Sequence, residues 1–188
     1  MTLWQINLLP WYFFLIYFGL SALRVKATKV HEEPGKRLLH VGPMVLSALL
    51  LFSHSLRIGP LGARFVPALA IVEYLGVALT FFGVAFAIWA RYSLGQYWSS
   101  RVTLKVDHKL IRTGPYGYIR HPLYTGLLLG VLGTALVVGE WRAVAAVFLA
   151  LGSFWRKAST EESLLLSEFK DEYAEYRRHT GFLTPKFR

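Results

Sequence analysis

The sequence predicts an all-α integral membrane protein with about five transmembrane helices. Three observations carry that prediction. Of its 188 residues 54% are hydrophobic and only 17% are charged, where a soluble domain carries roughly 25% charged residues. The mean hydropathy is +0.40. The 21 Lys and Arg residues are also spread unevenly between the segments that separate the apolar runs.

Five apolar runs stand out, at about 8–23, 38–56, 65–90, 123–138 and 141–155. A helix crossing a bilayer needs roughly 17–25 residues, so the first, fourth and fifth must extend into their flanks or tilt. Five cations lie between runs one and two, six between three and four and seven after run five, which is 18 on one side. The other side has three, Arg57, Arg64 and Arg142. Excess Lys and Arg mark the cytoplasmic loops. The N-terminus is therefore expected outside, with the 91–122 loop and the C-terminal tail in the cytoplasm. The net charge of +10 then reflects topology and attraction to anionic lipid rather than nucleic-acid binding.

The N-terminal stretch lacks a basic leader and a small-residue cleavage motif, so it is expected to be retained as a span. Run one is aromatic (Trp11, Tyr12, Phe13, Phe14, Tyr17, Phe18), which suits a peripheral, interfacial helix. Run two carries His40 and His54 near its ends, and such lone histidines read as packing residues. Run three carries Glu73 near its outer end, which reads as an interfacial position or as one with a structural partner such as Arg64. Only Gly139-Glu140 separates runs four and five, which predicts a helical hairpin. Leu164, Leu165, Phe169, Tyr173 and Tyr176 form a stripe at spacings of three and four. That predicts an amphipathic C-terminal helix, with Thr160 as its N-cap and Gly181 and Pro185 ending it. The chain reads as a single membrane domain, 1–188. Three N-terminal spans (1–90) precede a loop, hairpin and C-terminal helix (91–188). The small residues Gly130, Gly133 and Ala135 are expected to face run five or another copy.

There are no cysteines, which excludes disulfides and thiol chemistry. No His/Glu spacing suggests a metal. The polar segment GPYGYIRHPLYTG (114–126) opens run four, with Pro122 suited to the first helical turn. A helix start there offers free N–H groups to a carboxylate or polar ligand. The loop before it contains a short alternating piece, Val102 to Val106, that reads as extended. The same Arg and Tyr residues would serve as interfacial anchors, and the Glu161-Glu162 pair would serve as dipole complementation. The hairpin, however, returns Glu161 and Glu162 to the membrane face where His121 and Pro122 begin run four.

The run DHKLIRTGPYGYIRHPLYTG (107–126), with EESLL and then FKDEYAEYRR, resembles the isoprenylcysteine carboxyl methyltransferase family over about the last hundred residues. The Arg-His-Pro element alone is shared with membrane phospholipid methyltransferases and sterol reductases. The resemblance implies a membrane enzyme that uses S-adenosylmethionine, yields S-adenosylhomocysteine and methylates the carboxylate of a lipophilic substrate such as a prenylated cysteine. It implies cofactor contacts at His108, Lys109, Leu110, Ile111, Tyr116, Arg120, His121, Pro122, Leu123, Tyr124, Glu161 and Glu162. Aromatic faces such as Tyr116 and Tyr124 would sit against sulfonium or adenine. It implies substrate handling by Arg91 and by a cation near 157. The eukaryotic enzymes have arginine there and this chain has Lys157, with Arg156 beside it. Two alternatives stay open at this point, a lipid-amine N-methyltransferase and an NADPH-dependent sterol-type reductase. The acidic Glu161-Glu162 start argues against the second.

Overall fold

The computed structural model describes residues 1–23, 34–98 and 109–186. The regular structure among them is helical: α1 (Leu3–Ala22), α2 (Pro34–Phe52), α3 (Ala70–Leu94), α4 (Pro122–Val138) and α5 (Trp141–His179). By length and composition α1 and the segment Ala70–Tyr97 are long and apolar enough to cross a membrane, while Arg37–Phe52 and Pro122–Val138 are shorter apolar helices. His108 and the alternating piece at 102–106 lie outside the described residues.

Helix starts follow the local chemistry. Thr2 and Gln5 form a reciprocal capping box that starts α1 five residues earlier than its apolar run. Pro67 keeps 65–69 out of α3, which starts at Ala70. Pro122 occupies the first turn of α4, where its missing N–H removes no helical bond. Gly139 ends α4 with φ +67, its N–H on the Ala135 carbonyl at 2.8 Å. Glu140 then takes the N-cap position of α5. The predicted tight turn is therefore present.

Its partners differ from expectation. α4 packs most extensively on α3, and α5 on α2. The reason is glycine. A Cβ on Gly133 would come within 2.5 Å of the Gly76 carbonyl oxygen and the Thr80 nitrogen, and one on Gly126 within 2.5 Å of the Ala87 nitrogen. Only backbone fits there, so the small residues of α4 serve α3 rather than α5. Thr134, on the same face, joins three helices. Asn7 Nδ2 (3.2 Å) and Trp11 Nε1 (2.9 Å) of α1 both donate to its hydroxyl oxygen, and Thr80 of α3 lies 3.4 Å away.

The amphipathic tail is not a separate helix. α5 runs through Thr160, whose hydroxyl donates to the Arg156 carbonyl at 2.9 Å, so Thr160 is interior and caps nothing. The break comes at Lys170, with φ 44 and ψ −118, a left-handed conformation that costs a non-glycine residue of order 1–3 kcal/mol. Beyond it Tyr173 and Tyr176 are buried, as the stripe predicts.

At the α4–α5 turn, the three cations of the sparsely charged side gather. Glu140 accepts from Arg142 Nε at 2.6 Å and pairs with Arg57 at 2.8 Å. Arg142 is 2% exposed and also donates to the Leu50, Leu51 and Ser53 carbonyls at the end of α2. The Arg64 guanidinium lies against Gly139, and its Nε donates to the Val66 carbonyl. Glu73 sits in the first turn of α3.

Candidate functional site

At the opposite end, α4 begins where α5 returns. A 3-10 turn, Gly114–Gly117, precedes α4. The tail folds back across it. Arg120 N–H donates to the Gly181 carbonyl (2.8 Å), His121 N–H to Phe182 (3.2 Å), and Gly181 N–H to Tyr118 (3.0 Å). Thr125 Oγ1 donates to the Leu183 carbonyl at 2.6 Å. The N–H groups of Arg120 and His121, just ahead of α4, are thus taken by the protein's own C-terminal segment.

The side chains converge on two adjacent carboxylates that fill different roles. Glu162 is buried. Its Oε1 accepts from Arg120 Nε at 2.6 Å and lies 3.2 Å from His121 Nε2. Its Oε2 is 3.4 Å from Arg177 Nε. Burial pushes the Glu162 carboxyl up. The hydrogen bonds from His121 and Arg120 and the charges behind them outweigh it, bringing the carboxyl down to about 2. Glu162 is therefore a fixed anion that ties α4 to α5. Glu161 is 22% exposed at the side chain. One oxygen accepts from the Tyr124 hydroxyl at 2.6 Å, and the other is 3.8 Å from His121 Nδ1, beyond hydrogen-bond reach. It keeps acceptor capacity facing outward.

Tyr116 and Tyr124 are 6% and 5% exposed. Tyr124 stacks near-parallel with His121 (5.7 Å, 9°) and Phe154 (5.1 Å, 15°), and Lys157 Nζ lies 5.5 Å from its ring centroid. The ring is a strut under Glu161 rather than an open aromatic face. Tyr116 accepts at its carbonyl from the Tyr176 hydroxyl (2.7 Å). Burial pushes the Tyr176 hydroxyl up to about 12 and raises Tyr173 as well. Both stay protonated at neutral pH, and the Tyr173 hydroxyl is buried without a partner.

Tyr116, Arg120, His121, Pro122, Leu123, Tyr124, Lys157, Glu161 and Glu162 therefore share this junction. Arg156 is exposed beside it. Lys109, Leu110 and Ile111 lead into it, and Arg112 pairs with Glu172 at 2.9 Å. Arg91 stands apart, 2% exposed, with its terminal nitrogens on the Gly95 (2.7 Å) and Ser21 (2.9 Å) carbonyls and its guanidinium over Trp98. Sequence reasoning missed Arg177, Phe182 and Thr180. Phe182 packs edge-on against His121 (5.0 Å), and the Thr180 carbonyl accepts from Arg120. Arg177 falls in the family-like FKDEYAEYRR run, which was the one available signal. Among the described residues no three His, Asp or Glu side chains gather as metal ligands would.

The sequence profile of the isoprenylcysteine carboxyl methyltransferase family matches residues 76–167. Over that region, just under half of the chain, the sequence is similar to this family. The protein-S-isoprenylcysteine O-methyltransferase of Schizosaccharomyces pombe is 38% identical over 87 residues, 45% of this chain and 37% of that protein. The Saccharomyces cerevisiae protein of the same name is 30% identical over 140 residues, 73% of this chain and 54% of that protein. The cobalt-zinc-cadmium resistance protein CzcN of Cupriavidus metallidurans is 29% identical over 140 residues, 74% of this chain and 58% of that protein. The chain thus spans about 37–58% of the length of these relatives.

Proposed function

We propose that the protein is a membrane-embedded, S-adenosylmethionine-dependent methyltransferase that acts on the carboxylate of a lipophilic substrate such as a prenylated cysteine. The observation that carries this reading is the unequal carboxylate pair. Glu162 is consumed by Arg120, His121 and Arg177, whereas Glu161 rests on one tyrosine hydroxyl and keeps acceptor capacity at the surface. A partly exposed carboxylate suits the ribose hydroxyls or α-ammonium of the cofactor, so the residues fit it. The cofactor supplies an electrophilic methyl group on a sulfonium.

The chain's own residues then have limited work. An acceptor carboxylate with a pKa near 4 is ionised at neutral pH, so no general base is needed. The protein must bring opposite charges together, exclude water and align them. Lys157, one helical turn before Glu161, is the cation placed to orient the acceptor carboxylate, with Arg156 next to it. Arg91 already gives its terminal nitrogens to backbone carbonyls, so its part is to hold helices. An amine acceptor would need a base at the site, and Glu162, held down to about 2, is a poor one.

We place the chain in the bilayer with five spans, the N-terminus outside and this junction at the cytoplasmic face. The cation asymmetry supports that orientation. In α5 only the 13 residues 143–155 separate Arg142 from Arg156. At 1.5 Å per residue that is about 20 Å, so Arg142 sits at or within the opposite boundary, where its buried pairing with Glu140 offsets the cost.

The test is calorimetric binding of S-adenosylmethionine, S-adenosylhomocysteine and NADPH to detergent-purified protein, with Glu161→Ala and His121→Ala alongside. Adenosyl-cofactor binding that both variants weaken, without NADPH binding, is the expected result. Folded protein that ignores both adenosyl compounds would sink the proposal.

A further inference from the structure

At the ends of α1 and α3 the described residues line an open cavity of about 920 Å³, within the roughly 300–1,000 Å³ of small-molecule sites. It has two walls. α1 supplies Tyr17, Leu20 and Leu23, and the end of α3 and its following turn supply Arg91 and Gln96. Ile111 completes it, and Ile111 leads directly into the turn that opens α4. The cavity and the carboxylate junction therefore share one loop.

Its outer rim is apolar and faces away from the protein. Leu20 is 65% exposed and Leu23 is 83% exposed, on a helix that is apolar and only 11% buried over its span. An apolar molecule dissolved in the hydrocarbon meets this rim before any polar group. Inside, Arg91 joins the two walls. One terminal nitrogen holds the Ser21 carbonyl of α1 and the other holds Gly95 after α3, while Nε is buried without a partner. The opposite side of α3 is locked against α4 by backbone contact. α1 also lies outside the residues 76–167 that match the family.

We propose that α1 is the wall that selects the acceptor. Tyr17, Leu20 and Leu23 contact the apolar chain of the lipophilic carboxylate, and Arg91 is a positioning residue that pins α1 to α3 and sets the cavity's width. This inference rests on the proposed methyl transfer, in which the bond formed is carboxylate oxygen to methyl carbon and the bond broken is methyl carbon to sulfonium sulfur. α1 takes no part in that step.

The experiment uses the full chain in lipid nanodiscs, labelled S-adenosylmethionine, and N-acetylcysteine carrying S-butyl, S-decyl or S-farnesyl chains. Leu20→Trp narrows the cavity from a position that tolerates bulk. The ratio of kcat/KM for farnesyl over butyl is expected to fall by about tenfold or more, as pocket contacts of this size allow. Arg91→Lys is expected to raise KM for the farnesyl acceptor while kcat holds. Tyr12→Trp, 57% exposed on α1 and outside the lining, is the bulk control. A diazirine-bearing S-alkyl analogue of the same acceptor, mapped by peptide sequencing, reports occupancy without turnover. Labelling within Tyr17–Leu23 that unlabelled farnesyl acceptor displaces supports the inference. Methylation with an unchanged chain-length ratio and labelling elsewhere overturns it and leaves the reaction standing. Labelling of α1 without methylation of any acceptor keeps the cavity and sinks the reaction. Neither labelling nor methylation sinks both.

Discussion

The two ends of the α4–α5 pair contain the same ion pair. At the turn, Arg142 Nε meets Glu140 at 2.6 Å. At the open end, Arg120 Nε meets Glu162 at 2.6 Å. Their surroundings differ. Arg142 spends its remaining donors on the carbonyls that end α2, and Arg57 closes the other side of Glu140. At the open end the same pair is followed by a second carboxylate, Glu161, which Glu162 leaves spare by absorbing Arg120, His121 and Arg177. One end uses its charges to fold the chain, and the other folds with one carboxylate left over. A surplus group is what a binding site needs.

The sharpest way to break this contrast is Arg142→Ala. It leaves the buried Glu140 with Arg57 alone and uncaps α2, and breaking a buried pair costs about 3–5 kcal/mol. Thermal unfolding in detergent should show the largest loss of any substitution considered, with cofactor binding lost only through unfolding. Glu161→Ala should do the reverse. Adenosyl-cofactor affinity should fall by about tenfold or more, close to the roughly 1.5–3 kcal/mol of a hydrogen bond to a charged group. The melting temperature should barely move. Equal effects of these two variants on stability would erase the distinction drawn between the ends.

Glu162→Gln lies between them. It keeps an acceptor for Arg120 but removes the charge, so a loss of about 1–3 kcal/mol is expected by urea unfolding. The smallest effect is its pH dependence. The folded carboxyl lies at about 2 and an unfolded glutamate near 4.3. The stability it contributes is complete above about 4.3 and is lost as pH falls through about 2. The gap between wild type and Glu162→Gln should therefore close across that window. A gap that persists at the acid end would mean that Glu162 contributes through packing alone.

Much of this arrangement is legible in the residues, and the illegible parts share a cause. Hydropathy finds α2, α3 and α4, and Gly139-Glu140 marks the turn, because each signal is local. The pairing of α4 with α3 is not local. Gly130 and Gly133 advertise a close approach but not whose backbone approaches. Glu161 and Glu162 are adjacent and alike in sequence; only the rotation of α5 decides that one faces Arg120 and the other Tyr124. The closure of 181–183 over the start of α4 rests on three residues, too few to show a strand's alternation. Thr160 looked like a cap because Thr-Glu-Glu also opens helices, and the apolar contacts of Ala158 and Phe154 carry α5 straight through it.

The glycine contact between α3 and α4 has a mechanical consequence. Two helices that touch through their backbones have no side chains to rearrange between them, so they behave as one stiff plank. The carboxylate junction is mounted on one edge of that plank, and α1 leans on it through the Trp11 ring and hydrogen bonds to Thr134. A chain that adapts to a bulkier guest must yield along the seam that can open, and that seam is the one beside α1.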